Sequence, residues 1–185
     1  LRPLNPSREL LIFNDWDGLW QTVSKIQKVH KGIYINLNPL LGIPKGYTRD
    51  EDIAQRNWLP LDFDPIRPPD TSSTDLEHIR AQSMAFAVKY WLSAQGWTHP
   101  VMADSGNGCH LLYPIQLSND PNSKQLIARV LYALADRFDT ESVKLDRSNS
   151  NAARIWKLYG TTARKGANTP DRPHREAQIR DKGQR

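Results

Sequence analysis

Cysteine is almost missing from this chain: one residue, Cys109, in 185. Disulfides need pairs and an all-cysteine zinc site needs four, so both are excluded. No apolar run approaches the length of a membrane span, and no secretory leader is recognisable. No membrane partner is expected, and a reducing, cytoplasmic setting is. Internal repeats and low-complexity tracts are missing as well, which leaves one domain or two small units. An initiating methionine is also lacking: the chain opens at Leu1, and the expectation is a piece of something longer.

Material for a core is plentiful, with 38% apolar residues and six Trp. The net charge of +5 is unevenly placed. Residues 154–185 hold nine Lys or Arg against three acids, a net +6, so the remainder is close to neutral at −1. A basic run is commonly a solvated surface. The alternative is a phosphate-contacting strand followed by a tail that faces nucleic acid. Arg154 and Lys157 favour the second reading because they sit among apolar residues; residues 172–185 fit either.

The pattern along the chain predicts an α+β fold. Residues 1–57 read as a small αβ module, with a helix carrying Leu11, Trp16, Leu19, Trp20 and Val23 and a strand over 32–37 stopped by Asn38-Pro39. Residues 42–57 are polar and loop-like. A strand is expected over 58–64, then a proline-rich loop over 65–73. Thr74 and Glu77 have capping-box spacing and open a helix to about Gln95, with Leu76, Ile79, Met84, Ala87, Val88 and Trp91 as its apolar stripe. Gly96 ends it. Short strands at 100–103 and 109–115 flank Ser105-Gly106-Asn107-Gly108, a hairpin signal. A second helix begins at Asp120-Pro121 and carries Leu126, Ile127, Val130, Leu131, Leu134 and Phe138. A last strand is expected over 153–159.

The order over 58–159 is thus β-α-β-β-α-β, a split-βαβ or RRM-like unit. Right-handed crossovers put both helices on one face and leave the other open. The first strand is then central, and the 58–64 strand should lie between the strand of His110 and the strand of Arg154. Residues 58–166 form this module, and 167–185 a basic C-terminal extension.

Three sequence pieces with chemical potential converge on the open face. Asp62 and Asp64 alternate onto one side of their strand, with Phe63 turned to the helices. Two close carboxylates repel unless a cation lies between them, and Mg²⁺ or Mn²⁺ suits such oxygen donors. Asp146 is a third acid before the last strand; by itself it would be a turn residue, with Arg147 and Ser148. Ser105 and His110 bracket the glycine turn and carry donors for phosphate oxygens. Arg154 suits a bidentate phosphate grip, Lys157 falls on the opposite side of an ideal strand, and Arg164 and Lys165 are reserves.

This ordered set — Asp-x-Asp, Ser-Gly-x-Gly-x-His, an apolar-Asp pair and Ala-Arg-Ile-Trp-Lys-Leu-x-Gly-Thr — resembles the archaeo-eukaryotic primase superfamily. The bacterial, plasmid and CRISPR-associated primase-polymerases are the branch it looks most like. The strand at 32–39 resembles one that precedes the first motif there, and matching pieces span about 32–166. The resemblance implies an RRM-like catalytic core with the N-terminal αβ module packed on its open sheet face. It implies that Asp62, Asp64 and Asp146 are catalytic and bind two metals, Mg²⁺ or Mn²⁺. It implies that Ser105, His110 and Arg154 contact the incoming triphosphate, with Lys157 assisting.

The expected function is therefore DNA primase-polymerase activity: metal-dependent, template-directed nucleotidyl transfer from NTP or dNTP. Partners would be a DNA template and primer, and fused or associated replication or CRISPR domains. Asn38 and Tyr113 are the side chains considered for the neighbourhood of the sugar 2′ position. A metal-dependent nuclease shares the carboxylates but needs no triphosphate grip. An inactive nucleic-acid-binding RRM-like module is the third reading; acids at the centre of the open face argue against it, because without metal they repel phosphate.

Overall fold

The computed structural model describes residues 11–13 and 15–184. The first ten residues of the expected N-terminal module, Asn14 and Arg185 lie outside the described residues. The elements in chain order are α1 (Trp16–Ile26), β1 (Tyr34–Asn36), β2 (Gln55–Pro65), α2 (Asp75–Ala94), β3 (Val101–Asp104) and β4 (Cys109–Ser118). There follow α3 (Pro121–Phe138), β5 (Val143–Leu145), β6 (Ile155–Lys157), β7 (Thr162–Ala163), β8 (Arg175–Glu176) and β9 (Gln178–Asp181). The architecture is α+β, and no described helix is long and apolar enough to cross a membrane.

The main sheet has strand order β5-β2-β4-β3-β9, every neighbouring pair antiparallel. Along β2, Leu59, Leu61 and Phe63 point to one side, where they meet Ala81, Met84, Ala85, Val88 and Leu92 of α2 and Ile127, Leu131, Leu134 and Ala135 of α3. Both helices thus cover one face, and this is the core. Period-two alternation sends Asp62 and Asp64 to the other face.

Local signals for the helix starts are realised. Thr74 accepts from the Glu77 amide at 3.2 Å, and Glu77 accepts from the Thr74 amide at 2.8 Å. Asp120 caps α3 from the Ser123 amide at 2.7 Å, with Pro121 in the first turn. The buried face of α2 differs from the expected stripe. His78, Ala81, Met84, Ala85, Val88 and Leu92 are inside, whereas Leu76 and Ile79 are 57% and 56% exposed. Apolar residues lie nearly all round this helix, so periodicity alone does not select a face. In α3, Leu126 is likewise exposed. α1 begins at Trp16 and leaves Leu11 outside it; Val23 is its buried residue and Trp16 is exposed. β2 begins at Gln55, within the stretch expected to be loop.

The largest correction concerns the fourth strand of the β-α-β-β-α-β order. It is β5, three residues long, with Phe63 opposite Leu145. The segment expected to fill that place, 153–159, contributes β6, which pairs with β1 in a separate two-stranded ribbon: Tyr34 faces Lys157 and Ile35 faces Trp156. The Asp62 strand therefore lies between the strands of His110 and of Leu145, not between those of His110 and Arg154. The ribbon comes over the open face, where the Trp156 ring lies 4.3 Å from the His110 ring.

The basic C-terminal stretch is built into the fold. β9 extends the sheet beyond β3. Arg172 grips Glu77 with both terminal nitrogens at 2.8 and 2.9 Å. Arg175 bonds Asp75 and the Ser73 carbonyl, and Arg180 bonds Asp104.

Candidate active site

Asp62 lies in the sheet directly opposite His110, and the ring Nε2 stands 3.3 Å from Asp62 Oδ1. Asp62 Oδ1 is a buried acceptor with no hydrogen-bond partner. Asp64 follows on the same face and is met by Arg67 Nη1 at 3.3 Å. Asp146 closes the group from β5: its amide donates to the Asp62 carbonyl at 2.9 Å. The short β5 therefore brings an acid distant in sequence next to the Asp-x-Asp pair at the level of the backbone.

Two of these acids turn to separate arginines, Asp64 to Arg67 and Asp146 to Arg154. Asp146 Oδ2 accepts from Arg154 Nη2 at 2.9 Å, and its Oδ1 accepts from the Ser148 amide and hydroxyl at 2.9 and 2.6 Å. Among the described residues no group of three or more His, Cys, Asp or Glu side chains is placed to hold a metal ion. Like charges repel, so each acid turns to the nearest base. The donor chemistry fits a hard divalent cation nonetheless: Asp62, Asp64 and Asp146 offer carboxylate oxygens from adjoining strands, and the unpartnered Asp62 Oδ1 supplies a buried acceptor.

The electrostatics separate the pair on β2. Burial pushes the Asp64 carboxyl above its ordinary range, and the Asp62 charge adds to this against Arg67 and Lys165. Burial acts in the same direction on Asp62, but the His110 ring, Lys165 and Arg154 outweigh it and hold the group low. Beside Asp64 opens a cavity of about 310 Å³, bounded by the 65–71 loop and by Lys165. The phenol of Tyr34 on the ribbon is pushed up by burial and by the charges of Asp62 and Asp64.

The glycine turn holds its shape through close approaches. Gly106 has φ +88° and packs on Ala163 and the Arg175 carbonyl; a Cβ on Gly108 would stand 2.2 Å from the Phe63 carbonyl oxygen. Ser105 Oγ accepts from the Gly108 amide at 2.8 Å, so its oxygen serves the turn while its O–H remains to donate. Asp104 anchors the turn by accepting from the Gly106 amide at 2.7 Å and pairing with His78 at 2.9 Å.

The other residues singled out in the sequence have the following surroundings. Lys157 is buried, and its ammonium is bonded to Thr161 Oγ1 at 2.8 Å and to the Thr162 carbonyl at 3.2 Å. Arg154 precedes β6, is exposed, and meets the acids through Asp146. Tyr113 is in the core beneath the helices against Trp97, and Asn38 braces the Ala152 carbonyl and the Asn57 amide, so both have structural places. Sequence reasoning missed Arg67 and Tyr159. Tyr159 was the unassigned position in the Arg-Ile-Trp-Lys-Leu-x-Gly stretch; its hydroxyl meets His110 Nδ1 at 2.9 Å. Cys109 is buried and its thiol is pushed up to about 12, which makes it inert.

No protein-family model matches the chain, and neither does any curated protein. Among solved structures, the chain is similar to the polymerase domain from Mycobacterium tuberculosis Ligase D in complex with DNA, with TM-score 0.49 and 17% identity. The match covers 83% of this chain and 55% of that one, so the chain spans little more than half its length.

Proposed function

We propose that this chain is the catalytic domain of a primase-polymerase of the archaeo-eukaryotic primase type, built on a split-βαβ, RRM-like core, that adds NTP or dNTP to a DNA-templated strand. The observation that carries the reading is the convergence of β2 and β5. The Asp146 amide bonds the Asp62 carbonyl, while His110 stands 3.3 Å from Asp62 on the other side. The adjacency of Asp62, Asp146 and His110 supports this reading of the ordered motifs.

Asp62, Asp64 and Asp146 would hold Mg²⁺ or Mn²⁺, which when bound supplies Lewis acidity toward the attacking hydroxyl and the triphosphate. His110, whose Nε2 lies 3.3 Å from Asp62 Oδ1, would offer a ring N–H to a phosphate oxygen beside the acids. Arg154, exposed and planar, is suited to a bidentate phosphate grip, and the Ser105 hydroxyl offers a further donor. Lys157 stays outside this set because its ammonium is already bonded within its own turn. The work of the protein is to position the monomer and neutralise its charge.

The test is extension of a labelled primer on a DNA template with Mg²⁺ or Mn²⁺, with and without nucleotides. Nucleotide-dependent lengthening is expected, and Asp62→Ala should abolish it while the variant still folds, as read by its circular dichroism spectrum. Shortening without nucleotides would instead identify a nuclease. Binding of nucleic acid without metal affinity or either reaction would identify an inactive binding module.

A further inference from the structure

We infer that Tyr159 is a positioning residue that fixes which nitrogen of His110 carries the proton facing Asp62 and the phosphate site. The inference rests on the proposed function only for its kinetic consequence. Tyr159 Oη lies 2.9 Å from Trp156 Nε1 and 2.9 Å from His110 Nδ1. An indole nitrogen can only donate. Trp156 therefore occupies one acceptor position of the Tyr159 oxygen and leaves the phenol proton to be given elsewhere.

Tyr159 is half-buried and burial pushes its phenol up, so it keeps that proton. His110 Nδ1 is the acceptor in reach. A neutral imidazole that accepts at Nδ1 must carry its hydrogen on Nε2. Nε2 is the nitrogen 3.3 Å from Asp62 Oδ1. The ring cannot easily turn over, because it lies against Trp156 with centroids 4.3 Å apart and is 4% exposed. The indole thus serves as both wall and donor, and His110 meets the open face with an N–H donor suited to a phosphate oxygen. The opposite tautomer would aim a lone pair at phosphate and repel it.

The neighbouring turn supports the tyrosine. Thr161 Oγ1 donates to the Leu158 carbonyl at 2.6 Å and receives Lys157 Nζ at 2.8 Å, which ties down both sides of Tyr159. This gives the buried Lys157 a purpose that does not require contact with nucleotide.

The experiment is nitrogen-15 NMR of the His110 ring, at a pH where the ring is neutral, in the whole protein and in Tyr159→Phe. The unmodified protein should show a protonated Nε2 and a bare Nδ1, and Tyr159→Phe should show a mixture of tautomers. Nucleotide KM should rise about tenfold in that variant with kcat changed less, the scale on which loss of an outer-shell partner acts. Trp156→Phe, which removes the donor but keeps an aromatic wall, should also mix the tautomers and covers the case in which Tyr159→Phe does not fold. An Nε2–H signature unchanged in whichever variants fold, or a protonated Nδ1 in the unmodified protein, overturns the inference. Absence of nucleotide extension by the unmodified protein overturns the proposed function instead, and the NMR result still decides the role of Tyr159.

Discussion

Lys157 illustrates how burial redirects a residue whose type suggests something else. A lysine in a basic stretch reads as a phosphate contact, yet here its ammonium is inside the protein beside Arg164, and burial lowers its pKa from the usual 10.5 to about 8. The sign of the consequence is fixed by linkage. Between about pH 8 and 10.5 the unfolded chain holds the proton that the folded one has released, so stability should rise with pH across that window. Lys157→Met should remove this rise, measured as urea midpoints at pH 8 and at pH 10. A midpoint that changes identically with pH in the two proteins would mean that Lys157 is charged and solvated.

At the level of elements, the β3–β4 turn and the β2 strand are fitted to one another. Gly108 lies so close to the Phe63 carbonyl that a Cβ there would stand 2.2 Å from it, and the contact is backbone, which cannot swing away. Gly108→Ala should therefore cost about 3 kcal/mol or more, the upper end of overpacking penalties. Gly42→Ala, where nothing lies within 4 Å, should be neutral or slightly stabilising. Equal urea midpoints for the two variants would show that the turn yields. The same closeness sets His110 opposite Asp62, so a shift of this turn would displace the candidate site as a unit.

Over the whole molecule, four of the basic residues near the C-terminus, Arg154, Arg172, Arg175 and Arg180, pair with acids of the fold. Arg172 and Arg175 hold Glu77, Asp75 and the carbonyls of Ser72 and Ser73, which staples the chain end to the start of α2. Arg172→Gln with Arg175→Gln should lower the melting temperature by several degrees. It should leave the slope of log affinity for DNA against log salt within one charge of the unmodified protein. A slope that falls by two, with unchanged melting, would return these arginines to the nucleic-acid surface.

The sharing of a face by Asp62 and Asp64 was readable from residue order, as were the caps at Thr74 and Asp120 and the glycine turn. Each is a property of neighbours along the chain. The pairing of β5 rather than the 153–159 segment with β2 was not readable. Three residues, Val143 to Leu145, are too few to show a period, and a strand's partner depends on groups far off in sequence. The pairing of Arg154 with Asp146, the burial of Lys157 and the bond from Tyr159 to His110 follow from that placement. Residue types carried the chemistry; long-range contacts chose which of those groups meet, because solvent, charge and neighbours act on a side chain only after the backbone has set it in place.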